Sequence, residues 1–511
     1  MSKLANNPQV NDDPRSGFLK KIEIFGNKLP NPAILFLLLI GLLAVVSAIL
    51  ASNHVAAIHP STHKPIFIKS LISQEGLQWI FTDLIKNYLA FPPLGMIMVM
   101  TLGIGLLEKA GFMDAAIKSA VHAIPPKYVT FTIVIISFMS HMASDAAIVV
   151  VPPIAAMLFY SLGRHPFAGF AASLAAIYSG FTANLLIVTT DVLLSGLTTQ
   201  AAQIVDPNMV VTPIDNWYFA SFAVLALAIL TTVITEKFVE PSLGTFQSSQ
   251  EVKLEKPTDQ QKTALKFTGI VAIIFIAVLM LLVVPEGALL RNLETGGIPG
   301  SPFMKGIVPS LFFFLLTLGL AYGLKLGSIK NGDDIIHMMS EAVKGLSGFL
   351  VMAFVIAQFI AAFTWTNVAT LVATTGADFL KNIHMTGLPA LICMMLLGQL
   401  LGLFIASGSA IWSLLSPVFV PMFMLLGYHP AFIQMAFRAG DGALNTVQIV
   451  NPFLPLFLED LKKYKADTGI GTYLSLMMPY ALSFFVMFYL LFTFWYMFGL
   501  PSGPGVPQRL W

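Results

Sequence analysis

Apolar runs of about twenty residues, each long enough to cross the roughly 30 Å hydrocarbon layer of a bilayer as a helix, recur from one end of the sequence to the other. Such a chain folds as a polytopic membrane protein. Helices are the economical solution in lipid because each satisfies its own backbone donors and acceptors, and these solid runs are unlike the weak alternation of a β-barrel. Of 511 residues 56% are hydrophobic and 11% charged, and the mean hydropathy is +0.80. The net charge of +2 carries no message about nucleic acid, so the lipid bilayer and a small molecule are the expected partners. A lone cysteine, Cys393, excludes an intrachain disulfide and any Cys-based metal centre.

The expected fold class is an all-α membrane protein with about nine transmembrane helices plus two re-entrant helical hairpins, in two inverted-topology repeats with two discontinuous helices. Lysine and arginine sort the sides. Residues 1–30, with Lys3, Arg15, Lys20, Lys21 and Lys28, read as a cytoplasmic tail without a signal-peptide cleavage pattern. The first repeat covers 31–235: spans near 33–51 and 89–107, a hairpin over 128–160 from the cytoplasm, an interrupted span over 166–198, and a span near 217–235. Residues 236–266 form a cytoplasmic linker, and 267–284 an extra transmembrane helix. The second repeat, 305–498, has spans near 309–324 and 349–363, a hairpin over 387–426 from outside, an interrupted span over 430–458 and a last span near 473–498. A tail, 499–511, falls outside, and the polar stretches 52–78, 198–216 and 364–386 are read as outer loops.

The repeat can be tested by register. ASDAAIVVVPPIAAMLFYSLGRHP, 143–166, lies over ASGSAIWSLLSPVFVPMFMLLGYHP, 406–430, with one inserted residue, and both close on G-x-H-P. Beyond it, Gly180 and Asn184 of YSGFTAN match Gly440 and Asn445 of RAGDGALN with single-residue gaps. The charge-derived orientations of the copies are opposite. Inverted repeats with broken helices mark alternating-access transporters, whose sites sit where the breaks meet.

Each hairpin tip begins a return helix and each break restarts one, so up to four helix N-termini point at a common volume, which suits a carboxylate. Unwound carbonyls beside Ser, Thr and Asn suit a hard cation such as Na⁺, the only cofactor-like species expected. Candidate ion-coupling groups are Ser144, Asp145, Thr182, Asn184 and Ser407, together with Asp191 and Asp441; small polar residues also glue membrane helices together. Where the first repeat has Tyr178 and Phe181, the second has Arg438 and Asp441, three apart on nearly the same helical face. A charge at the bilayer centre costs about 2.5–3.5 kcal/mol even on gentle scales. Either the two neutralise each other, or Arg438 offers a fork to a substrate carboxylate and Asp441 carries a proton. Trp412, one turn into the second return helix, is a candidate stacking surface for an aromatic substrate, although membrane tryptophans also serve as interfacial anchors.

ASGSAIWSLLSPVFVPMF, the following GYHP and FRAGDGALN, with SHMASDAAIVVVPPIAAM and TANLLIVTTDVLLSG in the first half, closely resemble the AbgT family of p-aminobenzoyl-glutamate transporters over nearly the whole chain. The resemblance implies nine spans and two re-entrant hairpins per subunit, a homodimer, secondary transport in a bacterial inner membrane and a role in folate-related metabolism. Members similar to sulfonamide exporters leave direction open. Family functional residues match at Asp191, Ser409, Trp412, Pro430, Arg438 and Asp441, and Asn184 and Asn445 join them as candidate substrate ligands. An aminobenzoyl-glutamate brings two carboxylates and one ring, for Arg438 with the helix N-termini and for Trp412. With no G-x-x-x-x-G-K-[ST] phosphate loop, the energy is expected from an H⁺ or Na⁺ gradient. The alternatives are an exporter of sulfonamides, a Na⁺-coupled dicarboxylate transporter, and an intramembrane hydrolase built on Ser144, Asp145 and His141, a weak arrangement; no enzyme activity is expected.

Overall fold

The computed structural model describes residues 32–58, 64–122, 128–141, 145–244, 256–292, 296, 301–403, 405, 407–448, 451 and 453–510. These are overwhelmingly helical, with one small sheet among them, Ala56–Ile58 paired antiparallel with Pro65–Phe67. Among the described residues seven helices are long and apolar enough to cross a membrane: Ala33–Ser52, Gln74–Lys109, Trp217–Leu243, Asp259–Val283, Ile307–Leu326, Ser347–Trp365 and Ile470–Met497. Several of them expose large apolar side chains. The helix Asp259–Val283, for instance, buries only Ala264, Thr268 and Val283 and leaves Ile270, Ile273, Ile274 and Leu281 open, as a helix does when lipid covers it.

Between these lie shorter apolar helices in two similar sets. The first runs Val129–Ser140, Asp145–Ser161, Pro166–Ser179 and, after an unwound stretch, Thr189–Ala202. The second runs Leu388–Gly402, Gly408–Met424, Pro430–Asp441 and, after a 3₁₀ turn at Asn445–Val447, Leu454–Lys462. Their punctuation is repeated atom for atom. Gly163 (φ +71°) and Gly427 (φ +86°) supply the left-handed residue after each return helix. His165 and His429 then accept a 3.2 Å hydrogen bond at Nδ1 from the N–H of Phe167 and of Ala431, and Pro166 and Pro430 take the first helical position.

Helix Trp217–Ile234, 18 residues and so about 27 Å long, works as a ruler for both sets. Just before its start, Asn216 Nδ2 donates to the Ala431 carbonyl at 2.8 Å. Beyond its end, Glu236 accepts from Thr130 Oγ1 at 2.7 Å, and Glu240 takes the Arg164 guanidinium through two bonds of 2.9 and 2.5 Å. Thr130 opens the first set and Arg164 follows its return helix, so that set begins and turns at the Glu240 end. The second set begins and turns at the other end, where Tyr428 Oη donates to the Thr386 carbonyl at 3.1 Å next to the Asn216 anchor. The two sets therefore point opposite ways along one helix. Between them, Pro430–Asp441 is buried along its whole length and Pro166–Ser179 at all but Tyr178.

Several stretches read as loops or tail are folded. Part of 52–78 makes the small sheet and the start of helix Gln74–Leu89, which Ser73 caps by accepting the Gly76 N–H at 3.1 Å. The stretch 364–386 contains helix Val368–Asn382. The connection between the spans near 309–324 and 349–363 likewise contains helix Gly332–Lys344, closed by reciprocal bonds between Asn331 and Asp334. The tail docks: Leu510 N–H reaches the Gly427 carbonyl and His429 N–H the Gln508 carbonyl, both at 2.9 Å, while Tyr218 N–H reaches Ser502 at 3.1 Å. Arg509 covers the ring of Tyr428 at 3.8 Å.

Candidate functional site

The two unwound stretches cross. Helix Pro166–Ser179 ends at Gly180, where a Cβ would stand 3.0 Å from His141 Cβ, so glycine lets the tip of the first helix pair touch the break. Helix Pro430–Asp441 crosses Leu388–Gly402 closely at Gly440, where a Cβ would lie 2.5 Å from the Met395 carbonyl. From the first break, Thr182 Oγ1 donates to the Arg438 carbonyl at 2.6 Å. Arg438 answers with Nη2 to the Phe181 carbonyl at 2.5 Å, and its Nη1 meets Asp191 Oδ1 at 2.5 Å. The other oxygen of Asp191 accepts the Val188 N–H at 2.8 Å and closes the start of helix Thr189–Ala202.

Arg438 thus pairs with Asp191, not with Asp441 three residues on as the helical spacing allows. The reason is geometric: Arg438 reaches across to the first break, whereas Asp441 turns toward the start of the second return helix. A Cβ at Gly408 would lie 2.6 Å from both Asp441 Oδ2 and Phe181 Cζ, and one at Gly402 3.3 Å from Asp441 Oδ1. Asp441 is buried and, among the described residues, its Oδ1 has no hydrogen-bond partner; neither does Arg438 Nε nor His141 Nδ1. An unsatisfied buried polar atom costs about 1–3 kcal/mol. Orphans gathered where two helix breaks cross mark a place built to receive further polar atoms.

The remaining candidates sort by distance from this crossing. Ser407 and Ser409 hold each other at 3.0 Å at the start of helix Gly408–Met424, where Ser407 also caps the Ala410 N–H at 3.3 Å. Gly408 between them stands against Asp441, so this helix start borders the crossing. Asn184 accepts the Leu186 N–H at 3.0 Å and reaches the Phe138 carbonyl at 3.4 Å, tying the first break to the preceding helix Val129–Ser140. Asn445 adjoins Asp441 and accepts from Gln448 at 3.1 Å. Pro430 starts the helix that carries Arg438, about two turns from the guanidinium-bearing position. Ser144 lies outside the described residues, and of Asp145 only its place at the start of helix Asp145–Ser161 is described.

Trp412 is fully buried. Its ring stacks on Phe437 at 4.6 Å and 20°, and Nε1 donates to Thr198 Oγ1 at 2.9 Å. From there a buried chain runs to Gln434 Oε1 at 2.5 Å and from Gln434 Nε2 to Asn216 Oδ1 at 2.8 Å. Trp412 therefore has protein partners for one ring face and for its N–H. The helix starts are also partly spoken for, since Asp191 closes one and Ser407 serves another. Thr198, Gln434, Asn216 and Phe181 were absent from the sequence candidates. Thr198 and Gln434 are neutral polar residues in apolar helices and Asn216 one at a helix start, and only the position of Phe181, opposite Asp441 in the repeat register, gave any signal.

The family model described as "AbgT putative transporter family" matches residues 17–510. The p-aminobenzoyl-glutamate transport protein of Escherichia coli (strain K12) is 45% identical over 489 residues, 96% of each chain. Among solved structures, the YdaH transporter of Alcanivorax borkumensis superposes with a TM-score of 0.88 at 36% identity, covering 93% of this chain and all of that one. MtrF of Neisseria gonorrhoeae, described as illuminating a class of antimetabolite efflux pumps, gives 0.89 at 37% identity, covering 96% of this chain and all of its own. These relatives are transporters, not enzymes, and their likeness covers both helix sets and the crossing between them. The chain belongs to the AbgT transporter family.

Proposed function

We propose that this protein is a secondary active transporter of p-aminobenzoyl-glutamate or a closely related aromatic amino-acid conjugate, working by alternating access in a bacterial inner membrane. The observation that carries the proposal is the crossing of two helix breaks at Arg438, Asp191 and Asp441, in a chain 45% identical to a p-aminobenzoyl-glutamate transport protein. In this reading the two oppositely directed helix sets are inverted repeats. Pairs 129–161 and 388–424 are re-entrant hairpins, and each interrupted pair counts as one crossing, which with the seven long helices makes nine. The N-terminus lies in the cytoplasm, the C-terminus outside, and the working unit is a homodimer.

A substrate carboxylate would meet Arg438 Nε and the hydroxyls of Ser407 and Ser409. Coupling falls to Asp441 if the ion is H⁺, and to Thr182, Asn184, Ser407 and Asn445 with neighbouring carbonyls if it is Na⁺. Export of antimetabolites is the second reading, favoured by the 37% identity to MtrF. Purified protein in proteoliposomes, given labelled p-aminobenzoyl-glutamate with an H⁺ or a Na⁺ gradient imposed separately, tests all of this. Accumulation under one gradient, lost in Arg438→Ala, is expected. Failure to move the compound under either gradient in either direction overturns the substrate.

A further inference from the structure

Trp412 was the aromatic residue expected to receive a substrate ring, yet it is sealed between Phe437 and Thr198. Another ring stands at the crossing itself. Phe181 lies in the unwound stretch between Ser179 and Thr189, and its Cζ shares with Asp441 Oδ2 the space that a Gly408 Cβ would fill. The centre of its ring is 5.9 Å from Arg438 Cζ, so one side chain borders both charges of the second break.

Exposure separates it from its neighbours. Thr182, Asn184, Asp191, Arg438 and Asp441 are all buried, whereas Phe181 is partly open. The ring therefore forms the boundary between the buried charges and the space beyond. Its backbone is fixed, because Arg438 Nη2 holds the Phe181 carbonyl at 2.5 Å and Thr182 is tied to the Arg438 carbonyl. What remains free to adjust is the side chain, in a segment with no helix to crowd its rotamers.

We propose that Phe181 is the specificity-determining aromatic contact: the benzoyl ring of the substrate packs on its open face, and the glutamyl carboxylates then reach toward the unpaired Arg438 Nε. This rests on the function proposed above and adds to it the residue that distinguishes an aromatic conjugate from a plain acidic one. Offset or edge-on aromatic pairs contribute beyond their buried area, so the ring contact favours the aminobenzoyl compound over a ringless acyl glutamate.

The test compares wild type, Phe181→Leu and Phe181→Tyr in proteoliposomes, using p-aminobenzoyl-glutamate uptake and inhibition of that uptake by N-acetyl-glutamate. Phe181→Leu should raise KM for the aromatic compound about tenfold with Vmax within about twofold, leave the inhibition constant of N-acetyl-glutamate unchanged, and Phe181→Tyr should restore KM. A Phe181→Leu KM equal to wild type overturns the inference. So does an equal rise for both ligands, or a fall in Vmax alone, either of which reports a structural role. A wild-type protein that moves no p-aminobenzoyl-glutamate defeats the substrate assignment and this inference with it, an outcome visible before any variant is made.

Discussion

Arg438 and Asp191 form an ion pair in which both members are buried, and removing one partner of such a pair leaves a charge with nothing to answer it. The expected cost is about 3–5 kcal/mol. Arg438→Met should therefore lose transport and lower the midpoint of thermal unfolding in detergent. The double variant Arg438→Met/Asp191→Asn, which keeps a side-chain oxygen for the Val188 N–H, should regain part of that stability while staying inactive; a double variant less stable than the single one would refute the pairing. A second residue-scale prediction concerns His429, in the turn ahead of its helix, whose imidazole burial holds down to a pKa of about 4. Only the neutral ring can accept the Ala431 N–H. A folded-state pKa below the unfolded value of about 6.5 means that this stability is fully present above pH 6.5 and drains away as pH falls toward 4. His429→Asn, which caps without titrating in that range, should flatten the melting temperature between pH 7 and pH 4.5, and an unchanged slope would assign the acid sensitivity elsewhere. Charges at this scale were legible because Arg438, Asp441 and Asp191 stand out against apolar sequence. Their pairing was not, because Asp191 lies 247 residues from Arg438 and helical spacing offers only the nearer Asp441.

At the scale of elements, the punctuation of the two sets was readable because it is local: left-handed glycine, capping histidine and first-turn proline follow one another within four residues. Close approaches between elements were not, since they depend on what a helix meets. Gly440 and Gly471 both lie within helices, yet a Cβ at Gly440 would press on the Met395 backbone at 2.5 to 2.9 Å, whereas one at Gly471 has nothing within 4 Å. Gly440→Ala should cost about 1–3 kcal/mol through overpacking against rigid backbone. Gly471→Ala, in the first turn of helix Ile470–Met497, should be neutral or stabilise by up to about 1 kcal/mol. Thermal unfolding of the two purified variants side by side checks this, and equal melting temperatures would mean that the helices at Gly440 can simply move apart. The docked tail belongs to the same category. Its bonds run to Gly427, His429 and Tyr218, distant partners that no pattern in a short polar, Pro-rich and Gly-rich segment announces.

For the whole molecule the deciding fact is that one helix touches the two sets at opposite ends. Arg164 sits with Glu240 beyond the end of Trp217–Ile234, and Ala431 with Asn216 before its start, so the two contacts are separated by at least the roughly 27 Å length of that helix, enough to cover most of a hydrocarbon core. Lysine and arginine counts are what assign these ends to opposite sides of a membrane, whereas the opposed directions of the two sets rest on contacts between residues far apart in sequence, and the number of long helices depends on where each run is broken. Chemistry at the membrane surface can test the assignment directly. Lys465 belongs to the Arg164 end through Tyr464, whose ring lies 5.9 Å from that of Tyr160, and Lys381 to the other end, five residues before Thr386, which accepts from Tyr428. Both are well exposed, at 63% and 52% of the side chain. In a Cys393→Ser background, Lys381→Cys should react with a membrane-impermeant maleimide on intact cells, whereas Lys465→Cys should react only after permeabilisation. Labelling of both from the same side would contradict the opposed helix sets, and labelling with the sides exchanged would keep the sets but reverse the whole protein in the membrane, placing the C-terminus in the cytoplasm.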